Sequence, residues 1–201
     1  MRVLSTVASV VVLATWTTEM WSAAALACGR TSVQAASATE WRAVCEDGGA
    51  SVAFDPTHMK TFFLTHDADV RVSAARHEVF LPSTLAKVDE LTSSSVSSFM
   101  LRAESRWVHK TPVTIAPTAF AKLTALETLT LQDVPLANPS LHLVLPRTIK
   151  KITIVGCKLE RFSFEMADGG TASALTEIDL HANNLAEIPE AFYSLPATTI
   201  K

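Results

Sequence analysis

Glycine is scarce in this sequence, with 6 residues among 201. A phosphate-binding loop needs closely spaced glycines, and no G-x-x-x-x-G-K-[ST] segment occurs. The sequence also lacks the G-x-S-x-G turn of serine hydrolases, the H-E-x-x-H helix of zinc peptidases and any C-x-x-C pair. These absences predict a protein that is not an enzyme, with no catalytic residues, no metal and no cofactor.

Charge and long apolar runs are also limited. The formal net charge is −3, and no run of five or more Lys and Arg residues appears, which argues against a nucleic-acid partner. The longest apolar stretch, from Val3 to Ala14, has about 12 residues, whereas a transmembrane helix needs roughly 20. The sequence therefore predicts no membrane span.

The same apolar stretch has the layout of a secretion signal. Arg2 gives a positive start, and Ala25-Leu26-Ala27 supplies the small residues that signal peptidase accepts. We therefore predict a signal peptide over residues 1–27 and a secreted, extracellular mature chain.

The sequence has three cysteines. Cys28 and Cys45 lie near the start of the mature chain with 16 residues between them. Because disulfides persist in oxidising compartments, we predict that these two pair within an N-terminal cap region over 28–57. Cys157 has no such neighbour, and we expect it to fill a small buried space.

The C-terminal part carries an internal repeat, clearest in the segment Leu175-Thr-Glu-Ile178-Asp-Leu180-His-Ala-Asn183-Asn-Leu185. The same frame begins at Ile149, with Cys157 at the asparagine position, and at Leu126, with Val134 there. The three starts are 23 and 26 residues apart. This pattern resembles the leucine-rich-repeat family, whose unit is L-x-x-L-x-L-x-x-N/C-x-L with a period of roughly 20–29 residues.

The resemblance is closest over 123–201 and less regular over 58–122. It implies an α/β solenoid: a leucine-rich-repeat horseshoe segment with short parallel strands, an irregular or short-helical convex side and an N-terminal cap. Residues 58–201 would hold about four to five repeats, with convex segments after Ile115 and around Phe80-Leu81-Pro82. Because Ile200 falls where the next repeat should start, we expect the last repeat to be cut off and the chain to be a fragment of a longer protein.

The resemblance also implies binding of a protein or peptide through the concave sheet. Strand alternation sends Ile178 and Leu180 inward and the residues beside them outward. The candidate partner-binding residues are Arg102, Thr128, Thr130, Gln132, Lys151, Thr153, Glu177, Asp179 and His181. The outward positions of neighbouring strands should line up in columns across the sheet. Upstream, these columns would align Thr61 with Ser98, Phe63 with Met100, and Thr65 with Arg102.

Two alternatives to a secreted binding module stay open. One is the truncated ectodomain of a membrane receptor, such as a receptor kinase. The other is a structural, wall-associated repeat protein without a specific ligand. For each outward position the plain alternative is a solvated strand face, and Glu177, Asp179 and His181 lack the further ligands that a metal site would need.

Overall fold

The computed structural model describes residues 21–24, 29–48, 51–59, 61–65, 69–73, 75–104, 111–187, 192–193 and 199–200. Within these ranges the only helical residues are Phe192 and Tyr193, and the regular structure is otherwise β-strand. The strands are β1 (Trp21–Ala24), β2 (Thr31–Ala35), β3 (Trp41–Cys45), β4 (Ser51–Phe54), β5 (Thr61–Leu64), β6 (Val70–Ser73), β7 (Glu78–Leu81), β8 (Leu85–Val88), β9 (Thr92–Ser93), β10 (Ser98–Ala103), β11 (Thr114–Ile115), β12 (Lys122–Leu123), β13 (Thr128–Gln132), β14 (Ser140–Leu145), β15 (Lys151–Val155), β16 (Arg161–Met166), β17 (Glu177–Asp179) and β18 (Thr199–Ile200).

The largest sheet has nine strands in the order β1-β6-β7-β5-β10-β13-β15-β17-β18. Neighbours from β7 to β18 are parallel, whereas β6 pairs antiparallel with both β7 and β1. Leu129 lies opposite Ile152, and Ile152 lies opposite Ile178. The short parallel strands expected for these three residues are confirmed by this pairing. Strand alternation turns the side chain of each residue into the core.

The predicted α/β horseshoe with an irregular or short-helical convex side is wrong. In the described ranges the remaining strands form a five-stranded sheet, β11-β8-β2-β3-β4, and two two-stranded sheets, β12-β9 and β14-β16. The described chain thus contains several sheets, which combine parallel and antiparallel strand pairs. These sheets do not form one closed solenoid. The cause is visible in β14, where Leu141, Leu143 and Leu145 are buried and the residues between them are not. That period of two belongs to a strand rather than to a helix.

One cluster of buried side chains joins these sheets. Trp41, from the region predicted as a cap, is fully buried and stacks on Phe62 with ring centroids 5.9 Å apart. Phe62 stacks in turn on Phe99 at 4.9 Å, and Phe99 contacts Phe120 at 5.0 Å. The segment over 28–57 therefore contributes strands and its largest side chain to the same core as the rest of the described chain.

Three predicted positions differ from the structure. Phe63 lies opposite Arg102, so β5 is displaced by two residues from the predicted alignment of Thr65 with Arg102. Phe80, predicted on the convex side, lies on β7 beside Phe63 in the nine-stranded sheet. Ile200 lies opposite Ile178 rather than at the equivalent of Leu175.

Most of the predicted signal peptide, residues 1–20 and 25–27, lies outside the described residues. The exception is β1, which pairs with β6 through Trp21 opposite Ser73 and Ala24 opposite Val70. Cleavage after Ala27 would remove β1 and leave β6 at the edge of the sheet.

Candidate binding face

The nine-stranded sheet presents one side to the core and one side away from it. We call the second side the outer face. Its members on β5 to β17 alternate along each strand with buried residues such as Leu101, Leu129 and Ile152. They are Arg71, Glu78, Phe80, Thr61, Phe63, Ser98, Met100, Arg102, Thr128, Thr130, Gln132, Lys151, Thr153, Val155, Glu177 and Asp179.

The candidate residues of the C-terminal strands lie together on this face. Thr128 is opposite Lys151, which is opposite Glu177; Thr130 is opposite Thr153, which is opposite Asp179. Gln132 lies between Arg102 and Val155. Neighbouring parallel strands are roughly 4.8 Å apart, so the partly exposed side chains of each row are in reach of one ligand. Thr130 is the exception, because its side chain is buried.

One ion pair and one histidine–carboxylate hydrogen bond mark the end of the face near β17. Lys151 Nζ lies 3.0 Å from Glu177 Oε1, with both side chains partly exposed. His181 Nδ1 lies 2.6 Å from Asp179 Oδ1, and the same oxygen accepts a hydrogen bond from the His181 backbone N–H at 3.1 Å. His181 therefore lies just beyond the end of β17 and is hydrogen-bonded to Asp179. It is not paired with a residue of β15.

Asn183 fixes the turn that carries His181. Its Nδ2 donates to the carbonyl oxygens of Ile154 at 2.6 Å and Leu180 at 2.8 Å. Its Oδ1 accepts from the backbone N–H groups of Cys157 at 3.0 Å and Leu159 at 3.2 Å. The amide thus bonds backbone groups where the chain turns out of the strand, as its donor and acceptor pair allows.

Cysteines occupy two buried positions in the described residues. Cys157 is 3% exposed, and its thiol donates to the carbonyl oxygens of Val155 at 3.4 Å and Leu131 at 3.6 Å. The expectation that it fills a small buried space is confirmed. Cys45 is buried with a free thiol, and Cys28 lies outside the described residues, so their pairing stays a prediction.

Sequence reasoning placed Phe63 on the outward side but missed Phe80, and with it the aromatic pair of the outer face. Phe63 and Phe80 are half-buried and stack with ring centroids 5.1 Å apart and planes inclined by 18°. The Arg71 guanidinium carbon lies 5.2 Å from the centre of the Phe80 ring. In the sequence Val79, Phe80 and Leu81 form an unbroken apolar run, so hydrophobic alternation gave no signal that Val79 and Leu81 face the core and Phe80 does not.

The hydroxyl of Thr153, near the centre of the outer face, is unsatisfied. Thr153 Oγ1 is shielded from solvent, and no group in the described part of the chain accepts or donates a hydrogen bond to it. Thr153 lies between Thr130 and Asp179, at the centre of the polar rows. A buried hydroxyl without a partner costs about 1–3 kcal/mol, so a rotation toward an incoming polar group would recover energy.

No helix in the described ranges is both long and apolar enough to cross a membrane. Within the same ranges, no three His, Cys, Asp or Glu side chains converge in a way that would hold a metal ion. No protein-family model, curated protein or solved structure matches this chain.

Proposed function

We propose that this chain is an extracellular binding module that takes a protein or peptide partner on the outer face of its nine-stranded sheet and catalyses no reaction. The observation that carries the proposal is the continuity of that face. Seven strands bring polar and aromatic side chains into shared rows, and four of those strands keep one register.

The rigidity of the support favours recognition. The residues that alternate with the outer face are buried, with Leu129, Ile152 and Ile178 each at most 1% exposed. Side chains on strands anchored in this way already hold fixed positions. Binding of a partner therefore costs little free energy for ordering these side chains.

The chemistry of the face favours a polypeptide over a small apolar ligand. The part formed by β13, β15 and β17 offers hydroxyls, an amide and charges of both signs. The part formed by β5 and β7 offers stacked rings. Aromatic side chains and arginine are enriched at protein interfaces, and surrounding polar groups supply hydrogen bonds at the rim.

The test is selection of binding peptides from a displayed library on the immobilised protein, followed by affinity measurement with outer-face variants. The double variant Lys151→Ala with Glu177→Ala removes an ion pair from the face. Because exposed pairs contribute only about 0.2–1 kcal/mol to stability, we expect the fold to survive and the affinity to fall. Asp179→Ala with His181→Ala gives a second test at the neighbouring turn.

The chain offers a matched control. Lys150 Nζ lies 2.7 Å from Glu127 Oε1 in a somewhat more exposed ion pair, one residue before β15 and β13 and outside the outer face. Lys150→Ala with Glu127→Ala should leave the affinity unchanged. Equal affinities for both double variants would place binding elsewhere and contradict the proposal.

Secretion is a separate part of the proposal and has its own test. Expression of the full chain in a secreting host, followed by N-terminal sequencing of the product in the medium, should give a first residue of Cys28. Retention inside the cell with the N-terminus intact would contradict it.

A further inference from the structure

Four side chains form one row across the N-terminal part of the outer face. Arg71 lies opposite Phe80, Phe80 opposite Phe63, and Phe63 opposite Arg102. The two rings stack at 5.1 Å, and Arg71 stands over the outer ring. The row is thus a flat aromatic centre with a guanidinium at each end.

The exposed end of this row has an unused charge. Arg102 is exposed, and in the part of the chain that the structure describes its side chain makes no ion pair and no hydrogen bond. Two adjacent half-exposed phenylalanines also contribute less to the core than their buried neighbours Phe62 and Val79. Contiguous apolar surface rimmed by polar groups is typical of an interaction site.

The row's length fits an extended peptide. Arg71 and Arg102 are three strand spacings apart, roughly 14 Å at about 4.8 Å per spacing. In an extended peptide, residues four positions apart are separated by roughly 13 Å, and the first, third and fifth side chains share one side. A peptide laid across the strands can therefore place its first and fifth side chains on the arginines and its third on the rings.

We infer that this row binds an extended acidic peptide in which two carboxylate residues, four positions apart, flank an aromatic residue. The carboxylates pair with Arg71 and Arg102, and the central ring stacks on Phe63 and Phe80. This inference rests on the proposed function and names the class of its partner.

The neighbouring rows restrict the peptide to this position. Glu78 lies two residues before Phe80, and Glu104 lies two residues after Arg102. A peptide shifted toward Glu104 would place one carboxylate against that acid. A peptide shifted toward Glu78 would lose both arginines and place its aromatic residue on Glu78, which lies between Ser73 and Thr61. Like charges brought together in this way select the correct row.

The test uses a fluorescent peptide with glutamate at its first and fifth positions, phenylalanine at its third and serine elsewhere. We expect Arg102→Glu to weaken binding about tenfold and Phe63→Ser to weaken it similarly, with circular dichroism unchanged. Arg161→Glu, the same change at an exposed position on β16, should have no effect. A peptide with its glutamates only two positions apart should bind more weakly than the original.

A charge exchange completes the test. One of the two peptides in which a single glutamate is replaced by lysine should bind Arg102→Glu more tightly than it binds the unchanged protein. Absence of binding by the original peptide, or equal binding by Arg102→Glu and Arg161→Glu, would overturn the inference. If library-selected partners still depended on Lys151 and Glu177, the proposed function would stand while this inference failed.

Discussion

Strands β10, β13, β15 and β17 follow one another at matched positions, whereas β5, β6 and β7 enter the same sheet through shifted and reversed pairings. In the first region β13 and β15 are each followed by a residue in the left-handed conformation, Asp133 with φ 56° and Gly156 with φ 68°. Ala182, with φ 55°, repeats this position two residues after Leu180. A repeated turn thus sets the register of the regular strands.

The second region has no such repeat and relies on large rings. Trp41 contacts Phe54, Phe62 and Phe99, and its indole N–H donates to the Thr92 carbonyl at 3.1 Å. The strands there are placed by how these side chains pack. One sheet is thus aligned by local turn geometry at one end and by core packing at the other.

Trp41→Ala tests whether the aromatic rings hold the N-terminal strands. The side chain is 0% exposed at the centre of the aromatic stack, so its loss leaves a cavity and should cost about 3–5 kcal/mol of unfolding free energy. Urea denaturation followed by circular dichroism measures this. Trp41→Phe keeps a ring and should cost less. A loss below about 1 kcal/mol for Trp41→Ala would show that the rings do not hold the N-terminal strands.

The regular region depends instead on its turns, and Asn183→Ala tests them. Removal of the amide leaves backbone groups of Ile154, Leu180, Cys157 and Leu159 without this partner. We expect a loss of roughly 1–3 kcal/mol by urea denaturation. Asn184→Ala, at the exposed neighbouring position, is the control and should be nearly neutral. Equal midpoints for the two variants would count against the turn as the organising element.

The same contrast explains what the sequence could predict. The aliphatic frame from Leu126 to Leu180 indicated the strand positions and the rows of the outer face, because each residue's facing follows from local alternation. The facing of Phe80 and the register of Phe63 depend on pairing with residues of other strands, Arg71 opposite Phe80 and Arg102 opposite Phe63, which no local pattern records. The helical convex side was inferred from a resemblance, while the period-two alternation of Leu141, Leu143 and Leu145 decided for strands.

Two equivalent turns of the regular region, at Gly156 and Ala182, should respond differently to substitution. Gly156 tolerates its positive φ, whereas Ala182 holds a similar φ with a Cβ atom. Gly156→Ala should therefore cost about 1–2 kcal/mol. Ala182→Gly should stabilise the protein by less than about 1 kcal/mol, because relief of strain is partly offset by a more flexible unfolded chain. Thermal melts measure both.

Ala186 provides the control for that pair. It is exposed and does not have a positive φ, so Ala186→Gly should destabilise the protein slightly rather than stabilise it. If Ala182→Gly lowered the melting temperature as Ala186→Gly does, strain at Ala182 would be ruled out.

One turn of the N-terminal region is held by a carboxylate, and its loss should have a small effect. The Thr57 hydroxyl, at 2.6 Å, and then its backbone N–H, at 2.8 Å, donate to Asp55 Oδ1 and hold the pKa of that carboxyl below its usual range. A lowered folded-state pKa stabilises the fold above the usual aspartate range and loses that contribution as the pH falls through the folded pKa. Thr57→Val should raise the pKa of Asp55 toward its usual value in a carbon-13 NMR titration, and Thr57→Ser should not. An unchanged titration in Thr57→Val would mean that the hydroxyl does not hold this turn, leaving the backbone N–H as its support.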